Sequence, residues 1–515
     1  MKHTWLAMVA LAVLASTHAQ SVLADQYWTY SDANVDVIAA GSARYTANVA
    51  TRLRKLDAAM GMVMKLDLAN SRVPIHVYAI PREQLNKLYG GSDDFSSVFM
   101  NGEYESVILV DKNGDSDSTY ASAYFGYAGS LILNNAYAAH YPDWARIGFA
   151  EIFAATVIDR NKVTVGGFRD YMVQALRSNH LIPTRTLFRA RQSDPQFRTA
   201  DGSMLFSAEC WFLVHMLTIE GTYNDSFTKY LQLTADGQGE DAAYSASFPI
   251  SYEDLDRKLA DFLAAGRIKE LVVMVPDLPA AAPPQPSTQV ELKARLARIG
   301  MTHRLQADYA MQLAHEALAS DAENEMATRA LALGQLKQEQ FVDALATSRK
   351  LATHAKLTAG GYADNGAVLQ GLATAVDEKR ASLGVEAPDL RQQARDSYRH
   401  AVALDANDLE AWHRLTELVI QQEDEAAAKV FLAEVEPVFY RHSNDARLAN
   451  AIARLSERAH DYDNAFKFAV AWRTHAIDPA ERRSADSMVD NLRDYLQRRN
   501  AAQPSGAGAD PSAHH

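Results

Sequence analysis

The sequence predicts an α+β domain followed by an all-α array, and three observations carry that expectation. Strand-like apolar runs, Pro74-Ile-His-Val-Tyr-Ala-Ile80 and Ser106-Val-Ile-Leu-Val110, are mixed with longer helical stretches in the first half of the 515 residues. A stretch with five prolines, Pro276 to Pro286, then interrupts the pattern. Beyond it Ala, Leu, Glu, Gln and Arg dominate, the composition of helices.

In chain order, the first element is a leader. Lys2 supplies a positive start, Leu6 to Ala15 is an apolar run too short to span a bilayer, and small residues follow. Residues 1–24 therefore read as a cleaved secretory signal, with Ala19 or Ala24 at the cleavage site. The mature chain is expected to be exported, periplasmic or secreted, with no transmembrane segment after cleavage. Removing Lys2 and no acid takes the formal charge of −13 to −14, which repels nucleic-acid phosphates, so nucleic-acid binding is discounted.

Residues 25–275 read as the α+β domain, 276–288 as a proline-rich linker, 289–499 as the helical array, and 500–515, rich in Ala, Gly, Ser and Pro, as a disordered tail. The single cysteine, Cys210, lies in a stretch of helical periodicity. It reads as a small buried hydrophobe rather than a catalytic thiol. Asp111-Lys-Asn-Gly-Asp-Ser-Asp117 alternates acids and amide as a calcium loop does, but its glycine is misplaced and Ser122 stands where the closing glutamate belongs. A solvated turn after the strand is the simpler reading.

The array repeats. Ala310 and Ala344 are 34 residues apart, as are Ala394 and Ala428, and Asp321-Ala-Glu-Asn324 recurs as Asp405-Ala-Asn-Asp408 in the same phase. Trp412 stands 16 residues before Ala428, and Tyr398 and Ala401 follow Ala394 by four and seven. This segment resembles the tetratricopeptide repeat (TPR) family, which asks for an aromatic early in the first helix of a pair and a small residue early in the second. The interval from Ala344 to Ala394 is 50, with Gly360 and Gly361 in the excess. About four helix pairs are expected. Stacked pairs form a curved solenoid, and the resemblance implies a groove that holds a protein or peptide. Trp412 is either a buried inter-helix residue or a ligand-binding residue of that groove.

Tyr141-Pro-Asp-Trp-Ala-Arg-Ile-Gly-Phe-Ala-Glu-Ile-Phe153 resembles the gluzincin zinc metallopeptidases, in which Pro and Trp precede a Glu-Gly-x-Ala-Glu motif whose first glutamate binds zinc. Gly148, Ala150 and Glu151 match that motif; Ile147 stands at the ligand. The family's His-Glu-x-x-His helix should lie a little under twenty residues upstream, where this chain has Phe125-Gly-Tyr-Ala-Gly129 leading into Ser-Leu-Ile-Leu133. Phe206-Ser-Ala-Glu-Cys-Trp-Phe-Leu-Val-His215 is similar to a later helix of the same family. The resemblance implies an α+β zincin-like N-terminal domain followed by an all-α TPR-like solenoid.

The same alignment implies a vestigial site. Catalytic zinc takes three protein ligands and a water, with a glutamate to accept the water's proton. Phe125, Gly129 and Ile147 cannot ligate and Gly126 has no side chain, so the expectation is a pseudo-metallopeptidase with no catalytic residue, metal or cofactor. Glu151 survives, either as a polar anchor for a ligand in the old cleft or as a structural carboxylate bonded to nearby backbone or Arg146. His140 and His215 are the histidines that could rebuild a metal site with Glu151, though a lone histidine on a helical stretch is more often a satisfied core group. The leading function is an exported, non-catalytic protein- or peptide-binding scaffold; a hydrolase using an unrecognised or rebuilt site, or a structural component of an envelope assembly, are the alternatives.

Overall fold

The structure, a computed structural model, describes residues 26–502 except 33–34, 67–72, 91–96, 103, 113–115, 136–137, 280, 304, 423–424 and 443. The expected signal and most of the expected tail lie outside the described residues. Two compact units emerge, Met1–Ala355 and Lys356–His515.

The first unit is organised by a six-stranded sheet of order β4-β5-β3-β2-β1-β9. Its members are β1 (Tyr27–Ser31), β2 (Val35–Ala40), β3 (Ile75–Ile80), β4 (Ser97–Asn101), β5 (Ser106–Asp111) and β9 (Gln285–Ser287). The two runs expected as strands are the central ones: β2 pairs parallel with β3, and β3 parallel with β5. Strands buried on both faces read as continuous apolar runs, which is why these two were visible in the sequence. Helices α1 (Ala43–Met64) and α2 (Arg82–Tyr89) follow β2 and β3 as crossovers. Ser42 caps α1 by accepting from the Tyr45 N–H at 3.2 Å.

Alternation along the strands divides the core. Val37, Ala39, Val77, Ala79, Ile108 and Val110 face α1 and a large helical cluster. Ile38, Ala40, Tyr78, Ile80, Val107 and Leu109 face the other way, onto α2 and α11 (Gln289–Thr302). Leu292, Leu296 and Ile299 of α11 belong to that second cluster.

The expected linker is therefore corrected. Gln285–Ser287 pairs antiparallel with β1, Trp28 opposite Pro286, as the outermost strand of the sheet. An edge strand tolerates a proline because one row of its amides faces no partner. The first helices of the array, α11, α12 (Ala307–Ser320), α13 (Glu325–Lys337) and α14 (Phe341–Ala352), fall in the same compact unit as the sheet, so the division comes after Ala355 and not at 276–288.

Between β5 and β9 lie α3 (Ser116–Asn134), α4 (Asp143–Ala154), α5 (Asp170–Ser178), α6 (Thr184–Arg189), α7 (Ala200–Thr218), α8 (Asn224–Ala235), α9 (Glu240–Ser247) and α10 (Tyr252–Ala265), with a small antiparallel sheet of β6 (Val157–Asp159), β7 (Lys162–Val165) and β8 (Leu271–Met274). Helices α3, α4 and α7 pack in sequence. Gly148 permits the closest approach, since a β-carbon there would lie 2.3 Å from the Cys210 carbonyl oxygen. Cys210 itself is fully buried, as expected.

The second unit is wholly helical among its described residues: α15 (Ala359–Thr374), α16 (Asp377–Ala381), α17 (Ala387–Leu404), α18 (Leu409–Gln422), α19 (Glu425–Arg441), α20 (Ala446–Arg458), α21 (Tyr462–His475) and α22 (Pro479–Ala502). Ala310, Ala344, Ala394 and Ala428 are all fully buried, as small residues at helix-pair contacts must be. The recurring tetrapeptides are turns whose last residue opens the next helix: Asn324 accepts from the Ala327 N–H at 3.0 Å and Asp408 from Ala411 at 2.9 Å.

Two further expectations change here. The 50-residue interval holds α15 and, after it, the extra short helix α16 with its flanking turns; Gly360 and Gly361 lie in the first turn of α15, capped by Thr358. From Gln289 onward the described residues form twelve helices, more than four pairs, and α22 runs three residues, 500–502, into the expected tail. In α15, Gly366 is required by packing: a β-carbon would stand 2.6 Å from the Tyr398 ring.

Candidate functional site

The vestigial positions sit on α3 and α4, which pack against one another. A β-carbon at Gly129 would lie 4.0 Å from that of Ala150, so the two segments aligned with the zinc motif do face each other at this turn. Gly126 is turned toward the sheet instead: its β-carbon would meet Phe99 Cβ at 3.1 Å and Ile108 at 3.4 Å. Phe125 is half-buried and packs edge-on against Phe99 of β4, centroids 5.1 Å apart. Ile147 is buried in the main core cluster. None of these four offers a lone pair.

Glu151 is 4% exposed and pairs with Arg169, the residue that precedes α5. The expected partner, Arg146, pairs with Asp143 one turn away on its own helix. Burial pushes the Glu151 carboxyl up to about 7, and the Arg169 charge and hydrogen bond oppose that rise. Arg169 also lies over the Tyr171 ring, 4.7 Å from its centroid. The carboxylate is held from one side by a guanidinium, a partner other than those expected.

His140 ends a 3-10 turn, Ala138–His140. His215 is fully buried, with its Nε2 2.8 Å from the Lys269 carbonyl oxygen and its ring stacked on Phe262. Desolvation holds its pKa below the usual histidine range. Among the described residues no three His, Cys, Asp or Glu side chains lie together in a metal-holding arrangement. Much of the calcium-like run lies outside the described residues; its first acid, Asp111, is almost fully buried and accepts from Arg82 Nε at 2.7 Å.

Trp412 is buried among the helices of the second unit. It is 8% exposed, its indole N–H donates to the Ala406 carbonyl at 3.0 Å, and its ring meets Phe431 of α19 at 6.2 Å.

Sequence reasoning missed a polar cluster where α11 meets the sheet. His76 Nδ1 lies 3.0 Å from Asp36 and its Nε2 3.6 Å from Glu105, whose carboxylate also accepts from Arg298 at 3.0 Å and Thr302 at 3.2 Å. Burial raises the Glu105 pKa, but Arg298, His76 and His303 outweigh it and hold the carboxyl below its ordinary value. These residues come from four separate segments, so no local spacing could have joined them. The one available signal was polar residues inside otherwise apolar strands.

No protein-family model matches the chain. No curated protein matches it either. Among solved structures, a thermophilic TPR protein from Thermus thermophilus is similar over 39% of this chain and 96% of its own, at 18% identity and a TM-score of 0.29. So low a TM-score carries no argument, and the TPR-like reading of the array rests on its buried 34-residue alanine spacing. No helix among the described residues is long and apolar enough to cross a membrane.

Proposed function

We propose that this chain is an exported, non-catalytic binding protein, in which a pseudo-peptidase domain and a TPR-like array cooperate to hold a protein or peptide. One observation carries the reading of the first domain. Helices α3 and α4 face each other at Gly129 and Ala150, while the positions that would hold zinc and its base are Phe125, Gly126, Gly129 and Ile147, filled with aromatic, aliphatic or no side chain. Positions so filled supply neither zinc ligands nor a general base. For the array, stacked helix pairs present a curved surface suited to an extended segment of a partner, and such arrays bind by their concave side.

The test is metal and turnover in the mature full-length chain. After zinc loading and desalting, mass spectrometry is expected to find no stoichiometric zinc, and a peptide library is expected to stay uncut. One tightly held zinc per chain that depends on His140, Glu151 or His215 overturns the proposal. The converse variant, Phe125→His with Gly129→His and Ile147→Glu, is expected to gain measurable zinc affinity. A folded triple variant without it refutes the alignment of α3 and α4 with the zinc motif.

A further inference from the structure

Strand β8 is the outermost strand of the small sheet, and its outer edge is open. The register fixes which groups point there. The Val275 N–H donates to the Asn161 carbonyl at 2.9 Å, so in the antiparallel ladder Val273 and Leu271 also bond to β7, opposite Val163 and Val165. Val272 and Met274 alternate with them and aim their N–H and C=O groups away from β7. Among the described residues none pairs with these four groups. Open edges are commonly blunted by a charge, a bulge or a proline. The β9 edge of the larger sheet carries Pro286, whereas β8 reads Leu271-Val-Val-Met274 and carries none of these.

Side chains on this strand alternate between core and solvent. Val273 is buried in the main core cluster, while Val272 is 50% and Met274 64% exposed. Both stand on the outer face of the sheet, where Val272 sits beside Thr164 and Thr164 beside the exposed Val157. Opposite charges flank the strand. Lys269 precedes it, its side chain 68% exposed although it reaches Glu220. Asp277 follows it, exposed and accepting from the Asn161 amide.

We infer that the open edge of β8 pairs with β8 of a second copy of this chain, antiparallel about a two-fold axis through Val273, joining the two small sheets into one of six strands. In that register Val272 stands opposite Met274 of the second copy and Met274 opposite its Val272, so all four outward groups of each strand find partners. The same two pairs meet side by side on the outer face as apolar cross-strand contacts. Lys269 then stands opposite Asp277 of the second copy at each end of the ladder, an attraction that a peptide of arbitrary sequence does not supply. Pro276, which has no N–H, stops the ladder where it faces Glu270 of the second copy. The paired segment is roughly 14 Å long at 3.4 Å per residue, a small share of a standard interface, so the dimer is a weak one that forms at roughly 10–100 µM. The pairing is independent of any protein or peptide held by the array.

Sedimentation velocity of the mature full-length chain over a wide range of concentration, up to about 0.5 mM, tests this. A reversible monomer–dimer equilibrium is expected. Val272→Lys with Met274→Lys sets like charges opposite each other at exposed positions and is expected to leave a monomer throughout, with circular dichroism unchanged. Lys269→Glu alone and Asp277→Lys alone are each expected to weaken the dimer severalfold, and the two together to restore it, because the exchanged charges still face each other across the axis. A chain that is monomeric at every concentration, a dimer that the paired lysine variant retains, or charge variants without effect overturn the inference. A monomeric chain in which an added extended peptide slows amide exchange at Val272 and Met274 assigns the edge to peptides and likewise overturns it.

Discussion

Helix α11 is part of the sheet's core, and cutting the chain at Thr288 should therefore unravel the start of the array. Leu292 and Leu296 are fully buried and Ile299 is 2% exposed, in a cluster with strand residues that such a fragment lacks and with Leu313, Ala314 and Ala330, which it keeps. At about 1.5–3 kcal/mol for each buried aliphatic side chain, the cut forfeits roughly 5–9 kcal/mol of burial. That is an upper estimate, since unfolded chains retain some burial. It is still comparable to the whole stability of a domain, about 5–15 kcal/mol. Isolated helices of this length are marginal in water, so local propensity cannot replace the sheet. Hydrogen exchange read by mass spectrometry should show residues 289–352 unprotected in a Thr288–His515 fragment and protected in the full mature chain. Residues from Lys356 onward, a compact unit of their own, should keep their protection in both. Equal protection of 289–302 in fragment and full chain would refute the shared-core reasoning. Leu296→Ala in the full chain makes the smaller version of the same test, with an expected loss of about 2–5 kcal/mol.

Three other outcomes follow from the burial and charge described above. Trp412→Ala should cost about 3–5 kcal/mol of stability in urea denaturation, and Trp412→Phe about 1 kcal/mol for the hydrogen bond alone; a loss under about 1 kcal/mol for alanine would put the ring at the surface. Arg169→Ala strands the buried Glu151 and should cost about 3–5 kcal/mol at pH 8. Because the Glu151 carboxyl is pushed up to about 7, that deficit should shrink as the pH falls through 7 and the group becomes neutral; a pH-independent deficit would show that the pair is not what holds Glu151. Asp36 and Glu105 are both held below their ordinary values, Asp36 because the His76 and Ser31 hydrogen bonds outweigh its burial. Their contribution is therefore complete above the unfolded carboxylate pKa and is lost as the pH falls below about 4, so the melting temperature should drop more steeply below pH 4 in the wild type than in Glu105→Gln.

The parts of this protein that read correctly from sequence are those decided by short-range periodicity. The central strands were visible because parallel strands covered on both faces must be apolar throughout, and β3 and β5 are. The array was visible because helix pairs need a small residue at each close contact, and Ala310, Ala344, Ala394 and Ala428 are buried at that spacing.

Tertiary structure decided what depends on residues far apart in the chain. Prolines at 276–286 locally specify only an extended segment; that it closes the sheet follows from Trp28 pairing with Pro286. Glu151 had Arg146 five residues away as the obvious partner, but Asp143 lies closer along the same helix and takes that guanidinium, leaving Glu151 to Arg169 across two strands. The ionic cluster of Asp36, His76, Glu105 and Arg298 likewise joins segments with no local signal in common. Sequence by itself determines the elements, because backbone hydrogen bonding and the periods of 2 and 3.6 residues act over one or two turns. Which face meets which and where the chain divides are set by burial of apolar area, which is indifferent to distance along the chain.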